Sequence, residues 1–242
     1  MPLAIIKMKE ERYFYQPDIE AGELTKEDTQ HAVRVLRMKE GDEMWLMDGK
    51  GTFYRAQISV ASNHRCAYSI MERHPQSSAW QGRIHLAVAP TKFNDRIEWF
   101  AEKATEIGFD ELSFLDCQFS ERRTLKTERI DKIVVAAMKQ SRKAWKPQVN
   151  DMVAFDEFIS TPFACDRFIC HCYEGDKPNL MDVLTPGRNA LVMIGPEGDF
   201  SIDEVHRAEA HGFKSVTLGK SRLRTETAAL VAVHMMQLKN QT

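Results

Sequence analysis

The chain has 242 residues, a formal net charge of -2 and five cysteines. That length can bury a sizeable core in one large domain or two unequal ones, and 28% charged residues is the composition of a soluble globular chain. Membrane and secreted classes are excluded as expectations: apolar stretches such as 133–138 fall far short of a bilayer span, and residues 1–7 are too mixed for a secretory signal, which points to the cytoplasm.

In chain order, Thr25 and Asp28 predict the cap of a helix running towards Met38. Strands are expected over 43–47 and 52–60, joined through Asp48, Gly49, Lys50 and Gly51, with a third over 66–71. Residues 74–82 are rich in turn formers and read as a linker, giving a small β-rich domain over 1–74 and a larger one over 75–242. In the larger domain, 84–88 reads as a strand. Phe93, Ile97, Phe100, Ala101, Ala104 and Ile107 then repeat at helical spacing up to Gly108. Strands and helices alternate to the end, the ordering of an α/β domain with a mostly parallel sheet.

Between 119 and 147, Lys and Arg far outnumber Asp and Glu, with Arg122, Arg123 and Arg142 among them. Such a run is by itself most often a solvated helix face. The odd cysteine count argues for reduced thiols. Cys165, Cys170, His171 and Cys172 lack paired ligand spacing and 168–172 reads as a buried strand, so no metal site is expected.

Two phrases near the C-terminus carry the most information. The apolar run 190–194 reads as a buried strand, and Gly195, Pro196, Glu197 and Gly198 follow it as a tight turn that a ligand can approach closely. Ser201 and Glu204 then stand at capping-box spacing, starting a helix that stops at Gly212. A strand over 216–218 leads into the second phrase, 218–228, and a helix over 226–239 ends the pattern. Glu197 would repel phosphate, and no Gly-x-Gly-x-x-Gly occurs. Gly219, Lys220 and Ser221 lack the upstream glycine of a phosphate-binding loop, since Lys214 occupies that position. A ligand with an adenine ring, hydroxyls and a sulfonium but no phosphate fits better, and S-adenosylmethionine has that chemistry.

These phrases, together with 103–108, 140–142 and the N-terminal segment 31–37, closely resemble the bacterial 16S ribosomal RNA (uracil-N3)-methyltransferase family of the SPOUT class. Two departures stand out: Asp199 where a glycine usually follows Gly-Pro-Glu-Gly, and Ser221 where an arginine is common. The resemblance implies a trefoil-knotted methyltransferase domain, a PUA-like N-terminal β-barrel that binds RNA, and a homodimer formed across the cofactor site. It implies S-adenosylmethionine binding by Gly195, Pro196, Glu197, Gly198, Leu218, Gly219, Leu223, Arg224, Thr225 and Ala228. It also turns Arg34, Arg37, Arg122, Arg123 and Arg142 into candidate RNA contacts.

Uracil N3 is a poor nucleophile until it loses its proton, so the site needs a base or cations facing the carbonyl oxygens. Arg224 is the candidate cation and Glu226 the candidate base, each with a structural alternative: an ion pair or phosphate clamp for Arg224, and a helix-dipole partner for Glu226. The C-terminal helix is apolar round nearly its whole circumference and predicts burial on several sides. Two other classes remain open to sequence: a non-catalytic RNA-binding or ribosome-assembly factor that keeps the fold, and a small-molecule nucleotide enzyme.

Overall fold

The computed structural model describes residues 11–241, so residues 1–7 discussed above lie outside the described residues. The chain forms two compact units, one of Met1–Ser77 with Arg142–Trp145 and one of Ser78–Ser141 with Lys146–Thr242.

The smaller unit is a four-stranded sheet in the order β1 (Tyr13–Tyr15), β2 (Glu43–Met47), β3 (Thr52–Ala61), β4 (Cys66–Pro75), with β1 parallel to β2 and the rest antiparallel. Thr25 caps α1 (Lys26–Gln30), its hydroxyl accepting from the Asp28 amide at 3.2 Å, and a π-helical turn, His31–Val35, carries the chain on. The β2–β3 turn forms because the Asp48 carboxylate accepts from the Lys50 and Thr52 amides at 2.7 and 3.0 Å, an Asx-type closure. Phe14, Met44, Leu46, Ala56, Ile58 and Tyr68 fill the core under the sheet. β4 runs through Pro75, so the first two residues of the expected linker belong to a strand; its pairing with β3 continues past Met71 to Thr52 opposite Pro75.

The larger unit holds a six-stranded, fully parallel sheet in the order β10 (Lys214–Val216), β8 (Asp166–Cys170), β9 (Ala190–Ile194), β5 (Ile84–Val88), β6 (Glu111–Asp116), β7 (Gln148–Ala154). Central β9 explains its own sequence. Ala190, Val192 and Ile194 face one core while Leu191 and Met193 face the other, so the strand must be apolar throughout. The first core takes side chains of α2 (Asn94–Ile107), α3 (Thr127–Gln140) and α7 (Thr225–Asn240), together with Leu180 of α5 (Leu180–Val183). The second takes α4 (Phe155–Ser160) and α6 (Ile202–Ala210).

Two strands end earlier than the sequence implies. β8 stops at Cys170, leaving His171 and Cys172 in a loop, and β10 covers 214–216, Thr217 making only an isolated bridge to Asn179. Among the described residues no helix is long and apolar enough to cross a membrane, and no group of three or more His, Cys, Asp or Glu is placed to hold a metal ion.

Candidate active site

Parallel strands carry their ligand sites beyond their carboxyl ends, where connecting loops fan apart. Here the loops after β8, β9 and β10 enclose one cleft of about 840 Å³, lined by Cys170 to Cys172, Ile194 to Glu197, Asp199, and a continuous stretch from Val216 to Glu226, with Arg96, Lys177 and Ala228. All but one of the cofactor residues inferred from sequence line it. Gly198 stands just outside, packed against Phe119.

The wall after β9 is anchored at each residue. The Asp199 amide donates to the Pro196 carbonyl at 2.9 Å, closing a tight turn. Gly195 is required by close approach, since a Cβ there would lie 2.9 Å from the Phe200 nitrogen. The left-handed residue is Asp199, at φ 67°, rather than either glycine, which accounts for the glycine seen there in the resembling family. Aspartate holds that conformation through its own side chain: Oδ1 accepts from the Phe200 amide at 2.8 Å and Oδ2 from the Cys172 amide at 2.7 Å, pulling the chain out of β8. Glu197 Oε1 accepts from the Lys92 amide at 2.9 Å and so fixes a neighbouring loop. Ser201 and Glu204 form the full capping box, at 3.2 and 2.8 Å, that starts α6.

The wall after β10 is loosely held. Gly219 sits at φ 133° with open space around it, and its amide donates to Thr217 Oγ1 at 3.2 Å. Lys220, Ser221, Arg222 and Arg224 are exposed. Arg224 is the N-cap of α7, and Glu226 follows in its first turn. Glu226 is 8% exposed; its Oε1 pairs with Arg96 Nη1 at 3.2 Å, and its Oε2 is the one buried side-chain polar atom without a partner among the described residues. A helix N-terminus favours the carboxylate, but an orphaned buried oxygen is costly unless something meets it.

Sequence reading missed Arg96, His171, Cys172 and Lys177. Arg96 had no signal because it breaks no pattern on an amphipathic helix. His171 was hidden by reading 168–172 as all strand. The His171 ring spans Lys177, whose ammonium approaches Nδ1 at 3.3 Å, and Ser215, whose hydroxyl lies 3.0 Å from Nε2. Burial, and then the Lys177 charge, push its pKa below 6.5.

The basic run is not one patch. Arg142 falls in the smaller unit, where its guanidinium pairs with Glu11 at 3.1 Å and lies over the Tyr13 ring. Arg122 donates to the Thr91 and Lys92 carbonyls, and Arg123 to Asp116 at 2.6 Å and to the Gln118 carbonyl at 3.0 Å. Arg34 and Arg37 are exposed on the smaller unit.

A family model described as an RNA methyltransferase domain matches residues 78–237. The chain belongs to this RNA methyltransferase family. A second model, an RNA methyltransferase PUA domain, matches residues 24–67 in the smaller unit. A ribosomal RNA small subunit methyltransferase E of Aquifex aeolicus is 35% identical, the match covering 84% of this chain and 88% of that protein. Among solved structures, a probable rRNA-methyltransferase of Porphyromonas gingivalis aligns with a TM-score of 0.88 at 42% identity, over 94% of this chain and 98% of that one. A ribosomal RNA small subunit methyltransferase E of Neisseria gonorrhoeae bound to S-adenosyl methionine aligns with a TM-score of 0.83 at 27% identity, over 94% and 97%.

Proposed function

We propose that the chain is an S-adenosylmethionine-dependent methyltransferase of small-subunit ribosomal RNA, acting on uracil N3 as a SPOUT-type homodimer with a knotted cofactor site. The observation that carries this reading is the cleft itself: glycine-bearing loops at the carboxyl ends of β9 and β10, the parallel strands on either side of β8, with the Glu226 carboxylate held at its edge by Arg96. Its volume suits a ligand of nucleoside size. The relative bound to S-adenosyl methionine supports the cofactor, and a ribosomal RNA substrate is in keeping with a bacterial cytoplasmic enzyme.

Gly195, Pro196, Glu197, Leu218, Gly219, Leu223, Arg224, Thr225 and Ala228 would hold the cofactor, with Gly198 shaping the turn from behind. When bound, S-adenosylmethionine supplies an electrophilic methyl group on a sulfonium. The chain's own part is to make N3 nucleophilic. Glu226 Oε2, buried and lacking a partner, is the acceptor for the N3 proton, and Arg96 keeps that carboxylate aligned. Arg224, exposed on the cleft wall, offsets the negative charge that spreads over the neighbouring carbonyl oxygens.

The homodimer is supported by α7. Ala229, Ala232, Val233 and Met236 face the unit's core, yet Val231 and Met235 stay half-buried and Leu238 is 43% exposed. A second copy would cover this remainder beside the cofactor loops. Met235→Glu should give monomers whose cofactor affinity and activity fall together; light scattering that finds a fully active monomer refutes the dimer reading.

The decisive test is mass spectrometry of ribosomal RNA from a deletion strain complemented with wild type or Glu226→Gln. Wild type should restore one N3-methyluridine, and purified Glu226→Gln should bind cofactor normally but transfer methyl roughly a hundredfold more slowly. Cofactor binding without any methylated RNA would instead favour an assembly factor.

A further inference from the structure

Phe93 heads the apolar series whose later members, Ile97, Phe100, Ala101 and Ala104, are sealed in the core, yet it is itself 56% exposed. The reason is local. Phe93 is the N-cap of α2, with extended backbone at φ -95° and ψ 125°, so its side chain leaves the stripe that the helix buries. An N-cap favours Ser, Thr, Asp or Asn, whose side-chain oxygen accepts from a first-turn amide, and phenylalanine caps nothing here. The ring therefore serves neither the core nor the helix. Its loop is nonetheless firmly held: the Lys92 amide donates to Glu197 at 2.9 Å, Arg122 donates to the Thr91 and Lys92 carbonyls, and the Thr91 hydroxyl donates to the Phe93 carbonyl at 2.9 Å.

What stands beside the ring is Arg96, which lines the cleft. Its guanidinium carbon lies 5.8 Å from the Phe93 ring centroid, over one face, and the residue's exposure leaves the other face to solvent. The same guanidinium donates to Glu226 Oε1 at 3.2 Å, next to the buried Oε2 that has no partner. Arg96 is thus the common neighbour of an uncovered ring and an unsatisfied acceptor. A group that completes both is flat and carries an N–H on its edge, flanked by oxygens for the guanidinium. Uracil has this edge, with N3–H set between two carbonyls. Cytosine does not, because its N3 bears a lone pair that Oε2 would repel.

We infer that Phe93 is the stacking seat of the target uracil: the base leaves its neighbours in the RNA, lays one face on the ring, and brings N3–H to Glu226 with a carbonyl oxygen towards Arg96. Unstacking a base is costly, and an aromatic face at its destination offsets that loss. The loop is fixed before RNA arrives, so the seat aligns the base as well as binding it. The inference rests on the uracil-N3 reading for the identity of the base, and it adds the residue that selects and orients that base.

The experiment measures single-turnover methyl transfer by the full chain to small ribosomal subunits, and to their naked RNA, from a deletion strain. Phe93→Ser installs a favoured cap, so its melting temperature should equal or exceed that of wild type and its cofactor affinity should not move. Transfer should nevertheless slow by about tenfold to a hundredfold, the worth of one stacked base, while Phe93→Tyr stays within about threefold of wild type. A wild-type rate in Phe93→Ser overturns the seat, as does a Phe93→Tyr as slow as Phe93→Ser. A change of oligomeric state in Phe93→Ser by light scattering assigns the ring to a subunit contact and also overturns it. The chain with 4-fluorophenylalanine in place of Phe93 gives a readout that needs no chemistry: its fluorine resonance should shift with oligouridylate and stay still with an abasic oligomer of the same backbone, and equal responses refute the seat. An active wild type with an indifferent Phe93 defeats this inference alone. An inactive wild type whose fluorine still answers oligouridylate defeats the functional reading alone.

Discussion

The two walls of the cleft are built on opposite principles. The turn after β9 is tied down by Asp199, Glu197, Pro196 and the Ser201–Glu204 box, each a hydrogen bond to backbone. The stretch after β10 has Thr217 holding Gly219, and then four exposed polar residues in a row before Thr225 begins α7, broken only by the half-buried Leu223. One wall is preorganised and contributes shape before any ligand arrives. The other has freedom to adjust to what binds and loses entropy when it does. A site with one rigid and one compliant wall can recognise a ligand closely on one side and still admit and release it on the other.

The sharpest way to break this contrast is to fill the rigid wall. Gly195→Val places atoms where a Cβ already lies 2.9 Å from the Phe200 nitrogen, so the turn must shift. Cofactor binding by calorimetry should fall below detection, roughly a hundredfold or more, while the sheet stays folded by circular dichroism. Gly219→Ala on the compliant wall meets no atom within 4 Å and suffers only its φ of 133°. Its affinity should drop several-fold at most, through strain of about 1 kcal/mol. Equal losses in the two variants would mean that both walls are rigid.

A smaller effect isolates the anchor. Asp199→Ala removes acceptors for the Cys172 and Phe200 amides and puts a residue without local hydrogen bonds at φ 67°. Stability should fall by about 1–2 kcal/mol and cofactor affinity by about tenfold. Asp199→Gly relieves the backbone but still lacks both acceptors, so it should recover stability and not affinity. Recovery of both would reduce Asp199 to a backbone device.

What was legible in the sequence follows from the same contrast. The rigid wall announced itself because its parts are short-range: a strand apolar on both faces, two glycines, and a capping box whose partners are three residues apart. The compliant wall was legible only through its resemblance to a known family, since exposed Lys220 to Arg224 obey no period. Arg96 escaped because its partner Glu226 is 130 residues away, and pairing at that distance leaves no local trace. The same holds for Asp199, whose hold on Cys172 ends β8 two residues early and exposes His171 to the cleft. In the basic run, Arg122 and Arg123 look identical to free cations until their carbonyl and carboxylate partners are seen.

The smallest predicted effect concerns the third loop, after β8, and turns on His171. The Lys177 ammonium can only donate, so Nδ1 must accept and the ring proton sits on Nε2, facing Ser215, which in turn donates to Glu209 at 2.7 Å. The ring is therefore neutral, and burial together with Lys177 keeps it so by lowering its pKa below 6.5, against the pull of Asp199 and Glu209. The unfolded chain protonates this histidine first as pH falls, so the stability it contributes is present above about 6.5 and is lost below it. Charging the ring also sets a cation beside a cleft that receives a sulfonium. Cofactor affinity should be level above about pH 6.5 and decline a few-fold below it, as the folded ring takes up its proton. His171→Gln keeps a donor and an acceptor without the titration and should flatten that decline; an unchanged slope in this variant would place the pH dependence elsewhere and leave the β8 loop a passive part of the rigid wall.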